Sequence, residues 1–282
     1  MSLPSSADPD LWWPSLPDSQ PSSPGTLQPR MWMSTRRSPL PGAMAQGQPP
    51  YDDFNLGDHV GDDPWVVNRH RQMAAQVCGA EPVWLTQVHG QRVVRLSRSG
   101  DQCLADGQAV GVDPILADGS WTTEPGVACA VMVADCLPVL LVAPEGRGVA
   151  ALHAGWRGLC GGVLEQGVTT LCEACACEPA ELMAWLGPCI GPTAFEVGEP
   201  VLEGFGVDPV VGHPAFVPQA PQNGQAKWLT DLPLLARQRL QGLGLIRVDG
   251  GTWCTVREPS RFFSFRRDGI TGRQAAFIWL ER

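Results

Sequence analysis

The sequence predicts an α+β fold: one domain in which mixed β-sheets are flanked by a few helices. Three observations carry this expectation. Short apolar runs are joined by turn residues into hairpins, amphipathic helices are few, and no regular strand–helix–strand alternation runs along the chain. The 282 residues are 44% hydrophobic and 17% charged, which provides for a sizeable core.

Residues 1 to about 28 are rich in Pro, Ser and Gln around an isolated Leu11-Trp12-Trp13, a composition that predicts no stable structure, so the domain is expected over 29–282. Ser38 to Pro50 reads as a loop. Asp62-Asp63-Pro64 supplies a cap and a first-turn proline for a helix with Val66, His70, Met73 and Val77 on one face. Val83 to Val88 reads as a strand ending at His89-Gly90, and Arg92 to Leu96 as the next one. The continuous apolar run Val127 to Val133 predicts a buried strand. Leu137–Ala143, the turn Pro144–Gly148 and Val149–His153 form a β-hairpin. A Gly-flanked turn, Ala154 to Gly158, leads into a helix whose core face is Leu164, Val168, Leu171 and Cys175. Strands at Met183–Leu186 and Ala194–Val197 flank the loop Gly187–Pro192. Asp231 caps a helix with the stripe Leu232, Leu235, Ala236, Leu240 and Leu243. A last hairpin pairs Phe262–Phe265 with Ala275–Leu280 across Asp268-Gly269.

Twenty-nine acidic against 20 basic residues give a net charge of -9. Such a surface repels nucleic acid and anionic membranes and suits a small-molecule substrate. The ten cysteines sit partly in apolar runs such as VACAVMVADC, as small buried hydrophobes rather than a disulfide framework. The N-terminus has no basic stretch followed by an apolar one, and the apolar segment Val127–Ala143 is broken by Asp135 and Pro138. A cytoplasmic protein without a membrane span is expected.

The hairpin carries the chemistry. Pairing Ala143 with Val149 sets His153 opposite Val139 and leaves Cys136 about three residues beyond the pairing point, on the order of 10 Å at most. His89 also ends a strand, just before a glycine. Two imidazoles and a thiolate are a normal zinc set with one position left open. Spacing alone leaves open the alternatives of hydrogen-bonded histidines and an inert buried cysteine.

The strings TQVHG (86–90), ADCLPVLL (134–141), HAGWRGL (153–159), WLGPCIGPTAFEVG (185–198) and CT…RFFSFRRDGITGRQAAFIWL (254–280) closely resemble the YfiH family, often labelled polyphenol oxidase or laccase domain. FNLGDHVGDDP (54–64) and Asn68-Arg69 extend the resemblance from about Trp32 to Leu280. It implies a YfiH-like fold and one zinc ion per chain held by His89, Cys136 and His153. It also implies phosphorolysis of adenosine, inosine, guanosine and methylthioadenosine, together with adenosine deamination. Purine nucleosides and phosphate are then the expected partners, and the chain a monomer or small homo-oligomer. One departure stands out: Ser34-Thr35-Arg36-Arg37-Ser38-Pro39 replaces the family's Thr-Thr-Arg followed by Gly-Gly, which leaves a substrate contact from Arg36 open.

Further candidates each have a structural alternative. Arg157, in the turn before a helix, either binds an anion or ties the turn to a carboxylate. Arg266, Arg267 and Arg273 either supplement an anion site or are exposed hairpin charges. Asp135 either orients a metal ligand or faces away from Cys136, as alternation suggests. Glu196 is a possible proton-transfer group, and Trp156 and Phe195 either stack on a purine or belong to the core. The segment Cys172-x-x-Cys175-x-Cys177 resembles a four-cysteine zinc site only superficially, since it lies on one predicted helix.

Two rival chemistries remain. A four-copper oxidase asks for roughly eight histidines or more, whereas this chain has five, at 59, 70, 89, 153 and 213. One copper ion on the same three ligands stays possible. So does a metal-free thiol hydrolase with Cys136 as nucleophile and His153 or His89 as base.

Overall fold

The computed structural model describes residues 27–40 and 47–282. The Pro/Ser/Gln-rich segment expected to lack structure lies, apart from Leu27 and Gln28, outside the described residues, as does the middle of the 38–50 loop. In chain order the elements are β1 (Gln28–Met33), α1 (Pro64–Cys78), β2 (Glu81–Val83), β3 (Val93–Ser99), β4 (Gln102–Ala105), β5 (Gln108–Ala109), β6 (Gly119–Thr122), β7 (Val127–Val133), β8 (Leu137–Val142) and β9 (Val149–Ala154). There follow α2 (Trp156–Gly161), α3 (Val163–Cys175), β10 (Met183–Leu186), β11 (Glu196–Val197), α4 (Glu199–Gly204), β12 (Phe216–Gln222), β13 (Gln225–Thr230), α5 (Leu232–Gly242), β14 (Arg247–Gly250), α6 (Phe265–Asp268) and β15 (Gln274–Glu281).

Two mixed sheets stack at the centre of this single domain. One has the strand order β1-β15-β7-β2, the other β14-β10-β8-β9-β6-β3-β4-β5, and a small third sheet runs β11-β13-β12. Alternation explains the layering. Along β7, Val127, Cys129, Val131 and Val133 face the large sheet and pack with Leu140, Val142, Val149 and Ala151. The intervening Ala128, Ala130 and Met132 face α1 and pack with Met73, Ala74 and Val77. On the far side of the large sheet, Leu137, Val139, Leu141, Ala150 and Leu152 meet Leu164, Val168 and Leu171 of α3 and Leu235 and Leu240 of α5. The order is therefore helix, sheet, sheet, helices. Strands β7, β8 and β9 are buried on both faces, which is why they read as unbroken apolar runs. Each large side chain removed from water there contributes about 1.5–3 kcal/mol.

Helix α1 starts and stops as its sequence requires. The Asp63 carboxylate accepts from the Trp65 N–H, Pro64 occupies the first turn, and Gly79 closes the helix at φ 61°. Its buried face is Val67, His70, Met73, Ala74 and Val77, with Val66 only half-buried, so the face is turned slightly from the expected one. Helices α3 and α5 bury the expected stripes, except that Leu243 is half-buried.

Four expectations need correction. The strand at 83–88 stops at Val83; beyond it Thr86 bridges Leu116, and the Gln87 side-chain amide pairs with both backbone groups of Met132 at 2.8 Å each. A side chain thus continues the sheet edge where the backbone has left it. The β8–β9 register is one residue off the expected pairing. Ala143 N–H closes the turn onto Gly148 O, so Val142 opposes Val149 and His153 opposes Pro138. The strand at 194–197 is only Glu196–Val197. The last hairpin does not form. Strand β15 is already hydrogen-bonded on both sides, to β1 and β7, and Ser264 instead caps α6 by accepting from Arg267 N–H. The Gln274 amide ties Phe263 to the sheet through both of its backbone groups. Among the described residues no helix is long and apolar enough to cross a membrane.

Candidate metal centre

Cys136 lies immediately before β8 and His153 one residue from the end of β9, so the hairpin register brings them to one end of the large sheet. His89 reaches them from the loop between β2 and β3. Its backbone is left-handed, φ 59°, a costly conformation for a residue with a side chain. The structure also shows what offsets this. The buried Asp118 carboxylate accepts hydrogen bonds from the backbone N–H groups of Val88 (3.2 Å), His89 (2.8 Å) and Gly90 (2.7 Å). Three N–H groups turned toward one carboxylate form an anion-holding nest.

Asp118 serves His153 as well. Its Oδ1 accepts from His153 Nδ1 at 2.8 Å, and its backbone carbonyl accepts from the His153 N–H at 2.7 Å. One buried carboxylate therefore sets both histidines, and it leaves His153 Nε2 to face the thiol. Burial pushes the Asp118 carboxyl up, but the His153 hydrogen bond, the Gly90 and Val88 N–H groups and the His153 charge outweigh it and lower its pKa.

One ligand atom from each of His89, Cys136 and His153 lies within 4.8 Å of the others, with His89 Nε2 to Cys136 Sγ at 3.8 Å. Burial opposes ionisation of Cys136, yet the charge and hydrogen bond of His153, followed by those of His89, bring the thiol down to about 6. Burial also disfavours the His153 cation, but the Cys136 thiolate and Asp118 raise it to about 9. A thiolate and two imidazoles are the donor types that soft and borderline metals take, and the spacing suits one ion. The residues fit a metal.

Two glycines of HAGWRG make the close approach possible. A Cβ on Gly155 would stand 2.8 Å from His89 Cδ2 and 3.0 Å from Cys136 Sγ. One on Gly158 would stand 2.8 Å from the Gly90 carbonyl oxygen. The motif therefore leaves space for the His89 loop.

The trio opens onto a cavity of about 1030 Å3 that is also lined by the aromatic Trp84, Phe195 and Phe265 and by polar or charged residues that include Asp58, Arg71, Gln87, Arg266 and Arg273, with Asp135 beside Cys136. Asp135 is engaged elsewhere. Its carboxylate accepts from the Thr255 hydroxyl and the Arg266 N–H, each at 2.6 Å, and fastens α6 to the entrance of β8. The orienting role considered for Asp135 falls to Asp118. Arg266 lies over Phe195 at 5.4 Å and donates to the Glu196 carbonyl at 2.9 Å.

Several sequence candidates lie off the cavity lining. Arg157 is exposed, with its guanidinium 4.3 Å from the ring of Trp156. The Glu196 carboxylate accepts from Gln222. Arg36 pairs with Asp52, donates to the Pro259 carbonyl at 2.6 Å and lies over Phe263. Arg267 is likewise structural, bridging Asp268 and the carbonyls of Thr255 and Phe262. Sequence reading missed Asp118. Its signal was a single acidic residue before Gly119 at the start of a buried strand, which does not reveal its partners 28 to 35 residues away.

Residues 31–281 match a family model described as multi-copper polyphenol oxidoreductase laccase. Purine nucleoside phosphorylase YfiH of Escherichia coli is 47% identical over 234 residues, 82% of this chain and 88% of that one. A purine nucleoside phosphorylase of Haemophilus influenzae is 44% identical with the same coverage. Among solved structures, a Neisseria meningitidis protein superposes with a TM-score of 0.79 at 40% identity, covering 97% of this chain and 100% of that one. YlmD of Geobacillus stearothermophilus gives 0.77 at 27% identity, with 92% and 94% covered. The fold, the motifs and these matches agree: the chain belongs to the YfiH family.

Proposed function

We propose that this protein is a zinc-dependent purine nucleoside phosphorylase that acts on adenosine, inosine, guanosine and methylthioadenosine, with adenosine deamination at the same site. The observation that carries the reading is the His89–Cys136–His153 trio, held by Asp118 and opening onto a cavity with both aromatic and cationic walls. The names of the similar enzymes point the same way.

His89, Cys136 and His153 would hold the ion, which would supply Lewis acidity and leave a position open to solvent or substrate. The chain's own residues do the rest. Asp118 keeps the His153 Nδ1 proton and so directs Nε2 to the site. Phe195 and Phe265 offer apolar faces for a purine, and Trp84 offers another with Arg71 over it at 4.4 Å. Histidine supply favours one ion over a copper cluster. His70 Nδ1 engages the Asn55 carbonyl, His213 Nδ1 accepts from Ala215 N–H, and His59 pairs with Asp58.

Purified zinc-loaded protein should convert adenosine to adenine and ribose 1-phosphate only when phosphate is supplied, followed by HPLC, and Cys136→Ala should abolish this. Equal turnover by both proteins would overturn the reading. The low thiol pKa beside His153 favours a second reading, thiol hydrolysis with Cys136 as nucleophile. Turnover that survives exhaustive chelation but not alkylation would select it. Metal analysis separates zinc from copper.

A further inference from the structure

Three arginines line the cavity, and they differ in what already satisfies them. Arg71 is neutralised by Asp58 at 3.1 Å and gives its Nε–H to the Leu56 carbonyl. Arg266 spends one guanidinium nitrogen on the carbonyls of Glu196 and Ala194, and its backbone N–H on Asp135. Arg273 is different. Nη1 donates to the carbonyls of Thr271 and Gly272 at 3.0 Å each, and among the described residues no carboxylate lies within ion-pair distance of it. Among the described residues, its Nε and Nη2 have no hydrogen-bond partner, and the residue lines the cavity.

The surroundings hold this side chain in place. A Cβ on Gly57 would stand 2.7 Å from Arg273 Cγ, so the glycine makes room for the arginine stem. Asn55 Oδ1 accepts from both the Gly57 and Arg273 N–H groups, and Leu56 N–H donates to the Arg273 carbonyl. Phe265 lies under the guanidinium at 6.0 Å. Burial lowers the Arg273 pKa, the cost of holding a cation out of water. A pre-positioned, partly desolvated guanidinium with free N–H groups suits a bidentate oxyanion.

We infer that Arg273 is the principal binding residue for inorganic phosphate, the co-substrate under the function proposed above, on which this inference rests. Arg266 flanks the anion, and Arg157 takes no part.

The test is calorimetric titration of zinc-loaded protein with inorganic phosphate, alongside kinetics with adenosine. Arg273→Gln should weaken phosphate binding by at least about tenfold and raise the KM for phosphate in proportion, with the KM for adenosine within about threefold. Arg273→Lys keeps the stem and charge and should recover part of the loss. Zinc content and circular dichroism establish that each variant is folded. As a second readout, phosphate should shield Arg273 of the wild type from phenylglyoxal, mapped by mass spectrometry. Unchanged phosphate affinity in Arg273→Gln, or shielding of Arg157 or Arg71 instead, would overturn the assignment, as would a wild type that binds no phosphate. Phosphate binding lost in Arg273→Gln without any wild-type phosphorolysis would keep this site and remove the proposed function; phosphorolysis with unaltered binding in the variant would do the reverse.

Discussion

The metal corner and the arginine-bearing wall of the same cavity are built by different means. Cys136 immediately precedes, and His153 stands on, two central strands buried on both faces, and His89 is tied to His153 through the Asp118 carboxylate. Arg71, Arg266 and Arg273 stand on a helix, a single-turn helix and a strand approach, and each is held by backbone carbonyls and one or two side chains. In the corner, position follows from sheet register and tolerates little change. Along the wall, position follows from local hydrogen bonds, so a change there should alter one contact at a time.

Gly155→Ala should break the corner most severely without removing a ligand. The new Cβ would press on both His89 and Cys136, and backbone beside β9 cannot move freely. Metal content by mass spectrometry should fall to a small fraction of the wild-type level, while Ala replacing Arg157 serves as the opposite case below. Asp118→Asn comes next, with about 10–100-fold weaker metal binding, because such supporting partners are worth that much. Unchanged affinity would show that the His89 loop holds itself.

Acidity tests the same corner more gently. Without metal, the Cys136–His153 pair carries one proton between about pH 6 and about 9. Metal must displace that proton, so affinity should fall about tenfold per unit as pH drops from 9 to 6, and more steeply below 6. Above pH 9 this dependence should vanish. A competition titration with a chromogenic chelator across pH 5–10 measures the slope; a flat profile between 6 and 9 would contradict the ion pair. Smallest of all, Arg157→Ala should change the KM for phosphate by less than about twofold and stability hardly at all, since its guanidinium covers only Trp156 at the surface. A tenfold rise would move the anion site to α2.

What could be read from the chain alone depended on the range of the interaction. Local patterns located β7, the β8–β9 hairpin, α1, α3 and α5, because apolar periodicity and caps act within a few residues. The same patterns misplaced the hairpin register by one, since Ala143 joins the turn instead of the ladder. They also invented a last hairpin, because β15 finds its partners in β1 and β7, far away in sequence.

The sequence by itself determined the sheet-rich core, the end of the hairpin where Cys136 and His153 meet, and, through motif resemblance, the family and the third residue of the trio, His89. Only the tertiary structure decided that Asp118 aims both histidines, that Gly155 leaves them room, and that Arg157 and Arg36 lie off the cavity while Arg273 lines it. The reason is physical. Burial and helix or strand periodicity are written into neighbouring residues, whereas a carboxylate's partners and an arginine's free N–H groups depend on segments brought together by the whole fold.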